Sequence, residues 1–272
     1  MRLLAAIACV PVLLAAQDAR EIVRRSVELD RTNDQIAREY TYLQRQDTRT
    51  LDSSGAVKNR SVVTYDVTML EGSPYRRLVA RDDHPLPLEE EKKEQEKVLR
   101  SIEERSKETA EQRKRRLDEA EERRNRTREE LREIPDAFDF ILSGEVQFDG
   151  NEVWIIDATP RPGYKAKAQM ARFVGKAKGR FWIAKQDYHW VKAEIETLDT
   201  VSVGGIFLRL AKGSRVELEQ TRVNGEVWLP KSIVVRASAR VLLVKSLRLD
   251  LDYSYSNYKK FQVDSRVVSP VQ

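Results

Sequence analysis

From Ser246 to Ser256 the chain alternates without interruption: Leu247, Leu249, Leu251, Tyr253 and Tyr255 interleave with Arg248, Asp250, Asp252, Ser254 and Ser256. A period of two sends successive side chains to opposite faces of an extended strand, whereas the 3.6-residue period of a helix would scatter them around its circumference. The segment reads as a long strand with one dry face and one wet face. Strands of all-parallel sheets are covered on both faces and read as unbroken apolar runs, so this strand belongs to an antiparallel sheet.

Two other segments announce hairpins. Val146 to Phe148 and Val153 to Ile156 flank Asp149-Gly150, and Thr221 to Val223 and Val227 to Leu229 flank Asn224-Gly225. Both dipeptides tolerate the left-handed backbone that tight hairpin turns require. Val63, Tyr65, Val67 and Met69 alternate with Thr64, Asp66 and Thr68, and Tyr40 to Leu43 precedes them across a turn at Ser53-Ser54-Gly55. Tyr75 to Ala80, Arg180 to Ile183 and Tyr188 to Leu198 read as further strands, with a short helix at Ala168 to Val174. The expected class is mainly β (α+β), a large curved antiparallel sheet forming a half-open β-barrel.

Two segments carry a helical period instead. Between Ala19 and Arg38, Ile22, Val23, Val27 and Ile36 recur at helical intervals among charges, which makes an amphipathic helix that packs on something apolar. Between Pro87 and Pro135, residues Leu88 to Glu133 are mostly Glu, Lys, Arg and Gln, with no Gly or Pro and only a thin apolar stripe of Val98, Leu99, Ile102, Leu117 and Leu131. Acid precedes base by four residues at Glu89 and Lys93, Glu96 and Arg100, Glu103 and Lys107, Glu119 and Arg123, and Glu122 and Arg126, the order that supports a helix. A continuous, mainly exposed helix of roughly 70 Å is expected, dispensable for folding of the β domain.

At the N-terminus, Met1 and Arg2 precede an apolar run from Leu3 to Leu14 and the small pair Ala15 and Ala16. This is the pattern of a secretory signal peptide over residues 1–16, with cleavage before Gln17; the run is short of the roughly 20 residues that cross a bilayer. Ala6-Ile7-Ala8 before Cys9 resembles a lipid-attachment box only loosely, because the apolar stretch ahead of Cys9 is too short. Cys9 is the single cysteine, so cleavage leaves no thiol and excludes disulfides, thiolate nucleophiles and cysteine-ligated metals. The mature chain, residues 17–272, is expected to be one β domain interrupted by the insertion at 88–133. A bacterial periplasm suits it, with release outside the cell as the other destination of an export signal. Loss of Arg2 lowers the formal charge from +5 to +4, a surplus that permits contact with anionic headgroups and gives no support to nucleic-acid binding.

Signs of catalysis are missing. His84 sits in Asp82-Asp83-His84-Pro85 and reads as part of a solvated turn; His189 sits between Tyr188 and Trp190, and neither has a second ligand at helical or hairpin spacing. No Gly-x-Ser-x-Gly, phosphate loop or dinucleotide fingerprint occurs; Gly204-Gly205 reads as a bend or bulge, and Glu194 and Glu196 share one strand face without an acid partner. A non-enzymatic protein without cofactor or metal is expected. The basic and aromatic stretch from Pro160 to Trp182 supplies candidates for contact with an anionic membrane, Lys165, Lys167, Arg172 and Phe173, beside the plainer reading of a positive loop and short helix packed on the sheet.

Asn224 to Lys231, with its Trp228-Leu229-Pro230, then the strand from Ile233 to Ala237 and the ending Tyr253-Ser254-Tyr255-Ser256-Asn257-Tyr258, resembles the LolA-like outer-membrane lipoprotein-sorting superfamily. The resemblance is best from Ser143 to Phe261 and implies a half-barrel whose concave face holds acyl chains beneath helices. The large insertion departs from that plan, and no specific ligand residue transfers from the family. The apolar sheet face itself supplies the candidates Tyr65, Val67, Leu247, Leu249, Leu251 and Tyr253. The expected function is binding of lipid or of an acylated protein, as a carrier in outer-membrane biogenesis. The alternative is an interaction or scaffold protein of the cell envelope that meets a protein partner through its long helix.

Overall fold

The computed structural model describes residues 10–52, 54–70, 73–165, 175–203, 208–241 and 245–261. Helix α1 (Val10–Ala37) leads into β1 (Tyr40–Leu51), β2 (Val57–Leu70), β3 (Ser73–Arg81) and the two-residue β4 (His84–Pro85). After the helical insertion come β5 (Phe138–Phe148), β6 (Asn151–Pro160), β7 (Ala177–Ala184) and β8 (Trp190–Thr197). The short β9 (Val201–Val203) and β10 (Leu208–Leu210) precede β11 (Arg215–Val223), β12 (Val227–Val241) and β13 (Lys245–Lys260). All pairings are antiparallel, in the order β4-β3-β2-β1-β13-β12-β11-β8-β7-β6-β5, with β9 and β10 appended to β12. Because β4 and β5 do not pair with each other, the sheet is a half-open barrel.

The turns follow the chemistry of their residues. Asp149 and Gly150 both have positive φ, 48° and 78°, and so do Asn224 and Gly225, at 52° and 69°. That is the left-handed geometry a right-twisted hairpin needs. Asp82 and Asp83, with φ of 49° and 63°, make the tight reversal into β4. Gly204-Gly205 and the expected helix at Ala168 to Val174 lie outside the described residues.

The insertion is not one helix. It divides into α2 (Leu88–Ser106) and α3 (Ala110–Arg132), followed by the single turn α4 (Ile134–Ala137). The Thr109 hydroxyl accepts from the Gln112 backbone N–H while the Gln112 side chain accepts from the Thr109 N–H, and this reciprocal cap starts a new helix where composition alone predicts continuity. Of the expected charge pairs Glu103 with Lys107 forms, while Arg115 reaches Glu119 and Lys114 reaches Asp118 in base-first order. Neither α2 nor α3 buries a side chain, in agreement with the thin apolar stripe. Together they carry the chain from β4 to β5, the two free edges. Arg116 fixes the junction between them by bonding Glu108 and, at 2.8 Å, the Ser73 hydroxyl. Two ion pairs then join α3 to α1 and the residue that follows it, Arg128 with Asp34 at 3.5 Å and Arg38 with Glu121 at 3.6 Å.

Helix α1 crosses one face of the sheet. Ala19, Ile22 and Val23 bury themselves against Phe138, Phe140, Ile156, Ala158 and Ile183, and each buried Val or Ile contributes roughly 1.5–3 kcal/mol by area. At its other end the Asn33 side chain pairs with the backbone of Trp228, accepting from its N–H and donating to its carbonyl, both at 2.8 Å. Beside that contact His189, 3% exposed, stacks on Trp228 at 5.6 Å and bonds Gln220 through Nε2 at 2.7 Å. The Trp228 indole donates to Asp187. His189 is thus a core residue joining strands.

Replacing Asn33 by Ala leaves two backbone groups of a 6%-exposed residue without partners, and urea denaturation should show a loss of about 1–3 kcal/mol. Asp34→Ala, one residue on but at a 41%-exposed side chain, should cost no more than about 1 kcal/mol in the same assay. Because α2 and α3 bury no side chain and are fastened by partly exposed ion pairs, their amides should exchange faster than those of β6 and β7, and faster still as salt rises.

Acid should weaken the same core. Burial pushes the His189 imidazole below its ordinary value, against the hydrogen bond with Gln220 and the charges of Asp30 and Asp187; Arg222 also pushes it down. A depressed value means that its contribution is complete above the ordinary value of about 6.5 and is lost as the pH falls toward the folded-state value. The thermal midpoint should therefore drop between about pH 7 and about pH 5, and His189→Asn should flatten that dependence. An equally steep drop in the variant would assign it to other groups.

Candidate functional site: a concave trough with an apolar cavity

Residues paired in register across antiparallel strands share a face, so the register gives the lining of the trough. One row runs Leu142, Ile156, Phe181, Ala193, Leu218, Ile233, Tyr253, Gln46 and Val63, from β5 to β2. The next runs Phe140, Ala158, Gly179, Ile195, Val216, Val235, Leu251, Thr48 and Ser61. Ile156, Phe140 and Ala158 touch α1, which identifies this as the concave side. It is apolar from β5 to β13. Beyond β13 it turns polar and tyrosine-rich, with Gln44, Gln46, Thr48 and Thr50 on β1 facing Tyr253, Tyr255 and Tyr65.

The opposite face is a charge ladder. Asp157, Arg180, Glu194 and Glu217 make one row, and Lys178, Glu196, Arg215, Arg236, Asp250, Arg49 and Arg60 another. Asp47, only 6% exposed, takes a forked hydrogen bond from Arg60; with Arg49 and Arg45 nearby, its carboxyl is held below the usual range. Glu194 and Glu196 belong to this ladder, paired with Lys192 and Lys178.

Between α1 and the sheet lies a cavity of about 230 Å³. Val23, Ser26, Val27 and Asp30 of α1 form its roof; Phe181, Ile183, Trp190, Ala193, Ile195 and Leu218 form its floor; Leu131, Ile134 and Phe138 close one end. Gly179 lies in the floor because a Cβ there would come within 3.0 Å of the Phe181 ring. An engineered apolar cavity of about 150 Å³ stays dry and takes up benzene, so this one is large enough for a stretch of hydrocarbon. Asp30 is the one carboxylate in the lining, and burial raises its value above the usual carboxylate range against the charge of His189 and the Trp190 side chain.

All six residues expected on the apolar face lie on the concave side: Leu247, Leu249, Leu251 and Tyr253 along β13, and Tyr65 and Val67 on β2. Val67 is buried and the others are half-buried, and none of the six lines the cavity under α1. The cavity is built by β7, β8 and β11 instead. Its signal lies in the alternation of Ala193 and Ile195 with Lys192, Glu194 and Glu196, and of Leu218 between Glu217 and Glu219. Of the membrane-contact candidates Lys165 is exposed, while Lys167, Arg172 and Phe173 lie outside the described residues. Further along that stretch, Lys176, Lys178 and Arg180 pair with Asp199, Glu196 and Asp157, and Phe181 faces the cavity. Among the described residues no three His, Cys, Asp or Glu side chains converge as a metal site, and no helix is long and apolar enough to cross a membrane.

No protein-family model matches the chain, and no curated protein does. Solved structures similar to it include a DUF1329 family protein from Desulfovibrio piger, 11% identical, covering 93% of this chain and 95% of its own, with a TM-score of 0.34. A second is a putative outer membrane lipoprotein-sorting protein domain from Vibrio parahaemolyticus, 10% identical, covering 90% and 95%, with a TM-score of 0.35. A third, a LolA superfamily protein from Nitrosomonas europaea, is 11% identical, covers 90% and 93%, and has a TM-score of 0.30. One of these solved structures is described as a member of the superfamily that the sequence resembles.

Proposed function

We propose that this protein binds the acyl chains of a lipid or lipoprotein in the periplasm, without catalysing a reaction. The apolar cavity under α1 carries the reading. It opens along a concave face that remains apolar through β11, β12 and β13, where α1 covers only part of the surface. Ligand pockets of this kind are concave, mostly apolar and bear few polar groups. The export signal and the resemblance to lipoprotein-sorting proteins agree with it. A second reading, a scaffold that meets an envelope protein through α2 and α3, draws on the exposure of both helices.

Organic extraction of the purified mature protein followed by mass spectrometry should recover acyl lipids. Ile195→Trp fills the cavity from its floor and should weaken binding of a fluorescent fatty acid about tenfold or more, close to 1.4 kcal/mol, with the melting temperature largely kept. Lipid-free protein from several expression hosts, together with unchanged fatty-acid binding by the Trp variant, would refute the acyl-chain reading. Replacing the exposed charges of α2 and α3 should leave fatty-acid binding intact, and loss of a captured envelope partner in that variant would favour the scaffold.

A further inference from the structure

The polar end of the trough contains an arginine whose charge is not matched. Arg76 on β3 is in register with Val67 and Tyr42, which places it on the concave side, and it is exposed. Its guanidinium lies 4.2 Å over the ring of Tyr65. It forms no ion pair among the described residues, although Arg77 pairs with Asp66, Arg81 with Glu90 and Arg45 with Asp83. Stacking on Tyr65 occupies the face of the guanidinium and leaves its in-plane N–H donors available.

Phenols complete the setting. Tyr42 and Tyr255 have ring centroids 5.8 Å apart, and Val67, in register with both Tyr42 and Arg76, sets the arginine on the same side of the sheet as these rings. Gln44 donates to the Tyr255 hydroxyl oxygen at 3.0 Å, and no acceptor for that hydroxyl's own proton occurs among the described residues. A fixed cation beside a phenol O–H free to donate fits an oxyanion, and Arg suits phosphate through its forked donors. The apolar trough begins directly beside it. Three strand spacings separate β1, which carries Tyr42, from β11, whose Leu218 lines the cavity, roughly 14 Å along the sheet, and one acyl chain spans roughly 15 Å, half the hydrocarbon core of a bilayer. The length suits a headgroup at one end and a chain reaching the cavity at the other.

We propose that Arg76, with Tyr42, Tyr65 and Tyr255, binds the phosphate of an anionic phospholipid whose acyl chain occupies the trough toward α1. This rests on the acyl-chain reading above and adds the headgroup chemistry and the direction in which the ligand lies.

The test titrates the mature protein with fluorescently acylated phosphatidylglycerol and with diacylglycerol carrying the same chains. Wild-type protein should prefer phosphatidylglycerol; Arg76→Gln should weaken that binding about tenfold and leave diacylglycerol unchanged, and Arg76→Lys should restore part of it because the charge returns without the fork. Diacylglycerol binding also reports that the variants are folded. Equal wild-type affinity for the two lipids, or unchanged phosphatidylglycerol binding in Arg76→Gln, would overturn the headgroup site while the acyl-chain reading stands. Binding of neither lipid would remove both. Inorganic phosphate alone, if it protects Arg76 from chemical modification as well as the phospholipid does, would assign the site to a free anion and overturn the lipid proposal.

Discussion

Pairing of β13 with β1 holds the architecture together. The chain makes one meander from β1 to β4 and a second series from β5 to β12, and each alone would expose the flank at which the other joins. The last strand pairs β1 on one side and β12 on the other over most of its length, making one sheet from elements at opposite ends of the sequence. The apolar rows of the concave face become continuous only through this pairing. A one-residue slip would turn Leu247, Leu249, Leu251, Tyr253 and Tyr255 outward and bring Arg248, Asp250 and Asp252 into the trough, so hydrophobic burial strongly specifies the register.

A sheet assembled this way has two free edges, and the insertion links them. From β4 the chain reaches β5 only by passing along or over the open barrel, which the charged helices do without burying a side chain. Their stability comes from local terms, the Thr109 cap and many surface pairs of a few tenths of a kcal/mol each. Only the end of α3 and the turn after it, through Leu131 and Ile134, contribute to the cavity. The segment therefore closes one end of the pocket, which a purely solvated arm would not do.

The trough changes character along its length for a reason visible strand by strand. From β5 to β12 the two rows carry only Phe, Ile, Leu, Val, Ala and Gly, whereas β1 places Gln44, Gln46, Thr48 and Thr50 on the same side. Tyrosines stand where the two regions meet. Each has an apolar ring for the dry side and a hydroxyl for the wet side. An amphiphile has the same division, and a trough built on it gives such a ligand a direction.

Much of the fold is legible in the residues themselves. Alternation in Ser246 to Ser256 assigns the faces of β13, Asp-Gly and Asn-Gly mark two hairpins, and the spacing of Ile22, Val23 and Val27 marks the helix that packs on the sheet. These are local properties, carried by backbone period and turn geometry. Thr109-Ala110-Glu111-Gln112 also holds the signal of the helix break, but it is hidden inside a charged run dominated by helix-favouring residues. What tertiary structure alone decides is adjacency: β13 against β1, α1 over β5 to β8, and Arg76 beside tyrosines from three other strands. The alternation in β8 and β11 predicts an apolar face, but only strand order and helix placement turn that face into the floor of a cavity. A pattern of period two is written in neighbouring residues and survives in isolation, while a cavity or an unmatched charge is made by residues far apart in the chain and exists only once the sheet has brought them together.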